Sequence, residues 1–166
     1  IRQREVDLGL FLAHGNIRGV HSEILGHQQL AFIAAADNPL ASQRGLTYCD
    51  LADHPFIGPV KDTQYGRLLR RVFDEVGFTD HNTITQSQNT LIRRELLLSA
   101  VGFSCALRSG WEEDLESGQL IVLDVAADPL SLEVRIGSLV DRQISNASDK
   151  FVRYLYYLRD HGAFDS

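Results

Sequence analysis

The 166 residues suffice for about one compact domain, since domains usually run to ~100–200 residues. A chain that is 44% hydrophobic and 23% charged is neither disordered nor fibrous, and its longest unbroken apolar run, residues 30–36, falls far short of the ~18 residues of a membrane span. The net charge of -6 comes with no Lys/Arg block, which excludes an extended nucleic-acid surface on this stretch.

Residues 1–5, Ile-Arg-Gln-Arg-Glu, read as the end of a helix, and with no methionine anywhere the sequence is expected to be part of a longer protein. Residues 7–13 are nearly continuously apolar, which predicts a parallel strand covered on both faces, and residues 30–36 predict a second. Asp37-Asn38-Pro39 stops that strand, because proline supplies no ladder donor. Residues 46–52 read as a short helix, 56–58 as a brief strand and 59–65 as a polar loop rich in capping residues.

From 66 to 76, Leu68, Leu69, Val72, Phe73 and Val76 recur at helical spacing opposite Arg67, Arg70, Arg71, Asp74 and Glu75, and Gly77 ends the helix. Residues 83–85 are strand-like. Ser87-Gln88-Asn89-Thr90 caps a second helix whose apolar face is Leu91, Ile92, Leu96, Leu97 and Ala100, closing at Gly102. A strand over 103–107, a short acidic helix over 111–116 and a buried strand over 120–123 follow. Leu132, Val134 and Ile136 alternate with Glu133, Arg135 and Gly137, predicting a strand with one solvated face. The longest helix, 145–161, carries Ala147, Phe151, Tyr154, Leu155 and Leu158 as its apolar stripe, with Gly162 as its stop. Alternating strands and helices predict an α/β architecture around a mainly parallel sheet.

Cys49 and Cys105 lie 56 positions apart, outside any C-x-x-C unit, and fit a reducing compartment. His14, His21 and His27 are too widely spaced for one helix face, and no ligand set completes a metal site. Without a G-x-G-x-x-G or Walker loop no nucleotide cofactor is implied, and no cofactor of any kind is expected.

The order of local motifs resembles the effector-binding domain of LysR-type bacterial transcriptional regulators. Residues 5–10, Glu-Val-Asp-Leu-Gly-Leu, resemble that family's strand entry, and residues 37–41, Asp-Asn-Pro-Leu-Ala, its hinge. Residues 50–57 resemble its D-L-x-x-x-P-[FL]-I segment, 101–104 the end of its V-x-x-G-x-G-[IV]-[AS] segment, and 145–158 its closing helix. Two departures stand out: Ala100 occupies the place of the first glycine of G-x-G, and Leu107 that of a common proline. Compared with the family, the chain lacks the N-terminal winged helix-turn-helix, the linker helix and the first strand-helix-strand of lobe one.

The resemblance implies a type II periplasmic-binding-protein-like fold of two α/β lobes with a small effector between them. Lobe one would comprise residues 1–42 and 129–166, lobe two residues 43–128, with crossings at 37–42 and 126–129. It further implies a cytoplasmic homodimer or homotetramer that reaches DNA only through the absent helix-turn-helix, with residues 67–76 as a candidate subunit contact and no membrane association. A solute-binding protein of a transporter with the same fold is the runner-up.

Ligands of open α/β sheets sit outside the carboxyl ends of strands, where helix N-termini point inward. Two such ends are legible: the loop 58–66, and residues 87–90 ahead of Arg93 and Arg94. Free N–H groups there favour an anion, which would offset the roughly 0.3–1 kcal/mol by which a first-turn arginine opposes the helix dipole. Thr63, Gln64, Tyr65, Gln88, Asn89, Thr90 and Arg93 are therefore candidates to touch an anionic effector, a carboxylate foremost; ordinary capping and solvated arginine are the competing reading. Arg108 and Ser109 lie where the family's cleft loop reaches its effector, and Arg108 is either a bidentate carboxylate partner or a rim residue. His14 and Asn16 follow the first strand and are weaker candidates for the same cleft.

Gly102-Phe103-Ser104-Cys105-Ala106 superficially fits a nucleophile elbow, with Asp124 or Asp128 and His161 in the right chain order. An elbow needs a strand before its serine and a helix after, the reverse of the order here, so no catalytic residue is expected. Cys105, in an apolar strand, reads as a small buried hydrophobe.

Overall fold

The computed structural model describes residues 7–139 and 145–165. The helix end expected at residues 1–5 lies outside the described residues. Cα packing separates the chain into two compact units, one drawn from residues 1–29 and 131–166, the other Leu30–Leu130.

In the first unit β1 (Gly9–Ala13), β7 (Leu130–Leu139) and residues 20–29 of β2 (Val20–Ala35) lie in the order β1-β7-β2. The expectation of a parallel, doubly covered first strand is corrected: β1 pairs antiparallel with β7, Gly9 opposite Gly137, and Leu10 is exposed. Residues 20–29 have polar side chains interleaved with apolar ones and Gly26 in the middle, so their apolar content is too thin to announce a strand. One face of this sheet packs Leu25, Val134 and Ile136 against α5 (Asn146–Asp160).

That helix buries only part of the stripe its sequence suggests. Val152, Leu155, Tyr156 and Leu158 meet the sheet, whereas Phe151 and Tyr154 are half exposed. Apolar residues occupy more than one face of α5, so the partner sheet, not periodicity, selects the buried one. β7 also departs from a solvated second face: Arg135 is buried, held by Glu133 at 2.7 Å, Ser22 at 3.0 Å and Asn16 at 3.3 Å. Bonding of its guanidinium to a carboxylate and two further oxygens makes that burial tolerable. The chain end is tied down as well, His27 N–H donating to Asp165 and Gln28 Nε2 to the Phe164 carbonyl.

The second unit begins with residues 30–35 of β2. Its strands run β2, β5 (Phe103–Leu107), β3 (Phe56–Gly58), β4 (Thr83–Gln86), with β6 (Leu120–Val122) on the other side of β2. β3 is parallel to both β4 and β5, while β2 is antiparallel to β5 and β6. Residues 37–42 belong to this unit too: Asn38 caps a 3-10 turn at Pro39–Ser42 and donates to the carbonyls of Ala100 and Gly102.

Side chains alternate across this sheet and build two layers. On one face Phe32, Phe56 and Phe103 meet Tyr48 of α1 (Tyr48–Ala52), Phe73 of α2 (Gln64–Val76) and Phe78 in a cluster with ring centroids 4.9–6.5 Å apart. On the other, Ala31, Ile33, Ala35, Ile57 and Ala106 meet Leu97 of α3 (Thr90–Leu98) and Trp111, which precedes α4 (Glu112–Glu116). Leu91 and Ile92, expected on the apolar face of α3, are instead 72% and 52% exposed; Arg93 and Leu97 take the buried side. Two glycines are obligatory by close approach: a Cβ on Gly66 would overlap the Val60 carbonyl oxygen, and one on Gly102 that of Pro55.

Candidate functional site

The three loops singled out in sequence all belong to the second unit. Thr63 caps α2, its hydroxyl accepting from Gly66 N–H at 2.9 Å and donating to the Val60 carbonyl at 2.8 Å. The absent side chain of Gly66 lets that loop close so tightly onto the helix. Gln64 is exposed, while Tyr65 is partly buried with its hydroxyl at the Leu107 backbone. Burial pushes the Tyr65 phenol up to about 12, against a smaller downward pull from Arg93. It is a neutral hydroxyl at any physiological pH, able to donate or accept.

Asn89 caps α3, its side chain accepting from Leu91 N–H at 2.9 Å and Ile92 N–H at 3.4 Å. Gln88, Asn89 and Thr90 are exposed. One turn further on, Arg93 is only 7% exposed, and its Nε and Nη1 are buried without a hydrogen-bond partner. Its guanidinium carbon lies 5.8 Å above the Trp111 ring, and desolvation lowers the side chain from its ordinary pKa, opposed by Tyr65. Cation–π attraction of the order of 1–2 kcal/mol covers only part of the several kcal/mol that burying a charge costs. Arginine stays protonated in proteins, so this is a standing positive charge short of partners.

Arg108 and Ser109 occupy a 3-10 turn, Arg108–Gly110, between β5 and Trp111, and both are exposed. Tyr65, Arg93 and Trp111 are thus brought together, with the two helix caps and the 108–110 turn supplied by the neighbouring loops. Trp111 is the member that sequence reasoning missed; its place directly after the candidate Arg108-Ser109 loop was the available signal. Ser104 is fully buried and donates to the Ile57 carbonyl at 2.7 Å, and burial holds the Cys105 thiol far above its ordinary pKa. Neither is available to a substrate. In the first unit, Asn16 is spent on Arg135. Among the described residues no three His, Cys, Asp or Glu side chains form a metal-binding group, and no helix is long and apolar enough to cross a membrane.

The second unit is an α/β unit that holds a buried guanidinium with two unbonded nitrogens one turn into a capped helix. Residues 1–158 match the LysR substrate binding domain, and the chain belongs to that family. It is 27% identical over 110 residues to the RuBisCO operon transcriptional regulator of Allochromatium vinosum, covering 66% of this chain and 36% of that protein. With the HTH-type transcriptional regulator CbbR of Rhizobium meliloti it shares 24% over 161 residues, 93% of this chain and 50% of that one. The chain therefore spans half or less of the length of these curated relatives. Among solved structures it resembles the regulatory domain of Synechocystis PCC6803 CcmR in complex with 2-PG, with TM-score 0.82 at 18% identity, covering 95% of this chain and 76% of that one. The effector-binding domain of QuiR in complex with shikimate has TM-score 0.78 at 19% identity, covering 96% and 75%. The fold is accordingly that of the type II periplasmic-binding-like substrate-binding domains; the expected family and fold type are those found, while the sheet is mixed rather than mainly parallel.

Proposed function

We propose that this chain is the effector-sensing part of a bacterial LysR-type transcriptional regulator and that its effector is a small anion held at Arg93. The observation that carries this reading is the buried guanidinium of Arg93, stacked on Trp111 with Nε and Nη1 unpartnered. Removing such a charge from water without a counter-ion is costly, so a site that keeps it is organised for an anion that arrives. Tyr65 would donate its neutral hydroxyl to the same anion, and the N-terminal turns at Thr63 to Tyr65 and at Gln88 to Thr90 add positive helix ends. Arg108 and Ser109 would close the site from the 108–110 turn.

Effector binding would act by preferring one arrangement of two lobes, because a ligand shifts an equilibrium only by its differential affinity. The full protein would be a cytoplasmic homodimer or homotetramer, without catalytic activity, meeting DNA through a helix-turn-helix outside this chain. The curated relatives are transcriptional regulators, which favours this reading over a transporter's solute-binding protein.

The test is a thermal-shift and calorimetric titration of the protein with 2-PG, shikimate and a series of small carboxylates, beside neutral and cationic analogues. The expected result is stabilisation by one or more anions, lost in Arg93→Gln. Stabilisation by neutral or cationic compounds alone, or an anion response untouched by Arg93→Gln, would overturn it.

A further inference from the structure

Arg93 and Leu97 stand one turn apart on the buried side of α3. Leu97 shares an apolar cluster with Trp111, Ile33, Ile57 and Leu120, and the Arg93 guanidinium carbon lies over the indole of that same tryptophan at 5.8 Å. The ring has little freedom. Trp111 is 3% exposed, its N–H closes the 108–110 turn by donating to the Arg108 carbonyl at 3.0 Å, and its carbonyl starts α4 by accepting from Leu115 N–H at 3.0 Å.

The chain holds its two buried guanidinium groups in different ways. Arg135 is bonded by the Glu133 carboxylate and by oxygens of Ser22 and Asn16, which occupy its N–H groups and neutralise its charge. Arg93 is in no ion pair among the described residues, and its charge is met by an aromatic face and the neutral hydroxyl of Tyr65. A ring quadrupole attracts a cation without bringing a negative charge and without occupying an N–H. A carboxylate at the same place would fill the site that an incoming anion needs. Fixing a long, many-rotamer side chain in advance also removes an ordering cost from the binding step.

We infer that Trp111 is a positioning residue of the anion site: its indole face holds the Arg93 guanidinium in place for an anion and leaves its charge and donors unspent. The inference rests on the reading of Arg93 as the anion-binding group and adds to it the residue on which its readiness depends.

Isothermal titration of the full protein with acetate, inorganic phosphate, 2-PG and shikimate, repeated in Trp111→Phe and Trp111→Leu, tests this. Both substitutions shrink a core side chain, and only phenylalanine keeps an aromatic face. The expected result is anion affinity within ~3-fold of the natural protein in Trp111→Phe and at least ~10-fold weaker in Trp111→Leu. A purely structural role would move both variants together. Emission supplies a second readout that needs neither variant, because Trp111 is the sole tryptophan of this sequence. Its fluorescence is expected to change saturably with the anion, as the cation above the ring gains a counter-ion, and to be unresponsive in Arg93→Gln. Equal anion affinities in Trp111→Phe and Trp111→Leu, or Arg93-dependent binding that leaves Trp111 emission unchanged, overturns the positioning role while the anion site stands. Binding by none of the four anions, or binding untouched by Arg93→Gln, overturns the reading of Arg93 itself and this inference with it.

Discussion

Arg93 and Arg94 are adjacent on α3 and have opposite fates. Arg94 donates from Nε and Nη2 to the Asp114 carboxylate at 2.6–3.1 Å and from Nη2 to Gln119 at 3.1 Å, tying α3 to α4 and the turn before β6. Arg93, about 100° round the helix, is buried against Trp111 with two nitrogens unsatisfied. One arginine is spent on architecture, and its neighbour is left with unfilled bonding capacity.

That difference predicts a trade between stability and binding. Replacing Arg93 with methionine removes an uncompensated buried charge while keeping an unbranched chain over Trp111. The apo protein is expected to gain about 1–3 kcal/mol in urea unfolding, while anion binding falls ~30-fold or more. Arg94→Met should do the reverse, destabilising the protein because the largely buried Asp114 loses its partner, with little change in anion affinity. Equal effects of the two substitutions on both measurements would remove the distinction drawn between them.

The loop before α2 yields a second prediction. Gly66→Ala places a methyl group against the Val60 carbonyl and must push the 60–63 turn away from the helix. The Thr63 cap depends on that closeness, so the cost is expected to be about 1–3 kcal/mol together with reduced anion binding. Thr63→Ala, which removes the cap but adds no bulk, should cost only about 1 kcal/mol, and urea melts of the pair separate the two causes.

These contrasts mark where the sequence was legible and where it was not. α2 was readable because Leu68, Leu69, Val72 and Phe73 repeat at helical spacing and all four are buried. β3 and β5 were readable because a strand covered on both faces is almost wholly apolar, and Phe56–Gly58 and, but for Ser104, Phe103–Leu107 are such strands. Residues 20–29 form the first part of a long strand and are only partly covered, so their polar content hid it. Of the site, the capping residues Thr63 and Asn89 declared themselves through local chemistry. The burial of Arg93 did not, because it is imposed by Trp111 and Tyr65, which arrive from other elements. Nothing in the local pattern distinguishes Arg93 from Arg94.

Ala100 offers a test of backbone strain beside the site. It follows α3 with φ +53°, the left-handed region where an L side chain costs roughly 1–2 kcal/mol. Asn38 holds the turn by donating to the carbonyls of Ala100 and Gly102 while accepting from Leu40 N–H. Ala100→Gly relieves the strain and loses part of the gain to the freer unfolded chain, for a net stabilisation of about 0.5–1 kcal/mol. Asn38→Ala leaves buried backbone groups without partners and should cost about 1–3 kcal/mol. Destabilisation by Ala100→Gly in urea melts would show that the left-handed turn carries no strain.

His81 supplies the pH-dependent prediction. Burial among Phe56, Phe73 and Phe78 lowers its pKa, with Lys61 adding to the effect and the Phe78 backbone and Asp80 opposing it. The folded protein thus prefers neutral His81, whereas the unfolded chain takes up a proton near the ordinary value of 6.5. Between the two pKa values the unfolded state binds more protons, so stability rises with pH through that window. The contribution is complete above about 6.5, declines as pH falls from there to the folded pKa, and is absent below it. His81→Leu removes the titrating group and keeps an apolar body among the rings. The decline in stability between pH 7.5 and pH 5 is expected to be shallower in His81→Leu than in the natural protein, measured by urea unfolding at each pH. Identical pH profiles for the two proteins would mean that His81 titrates in the folded state as it does in the unfolded chain.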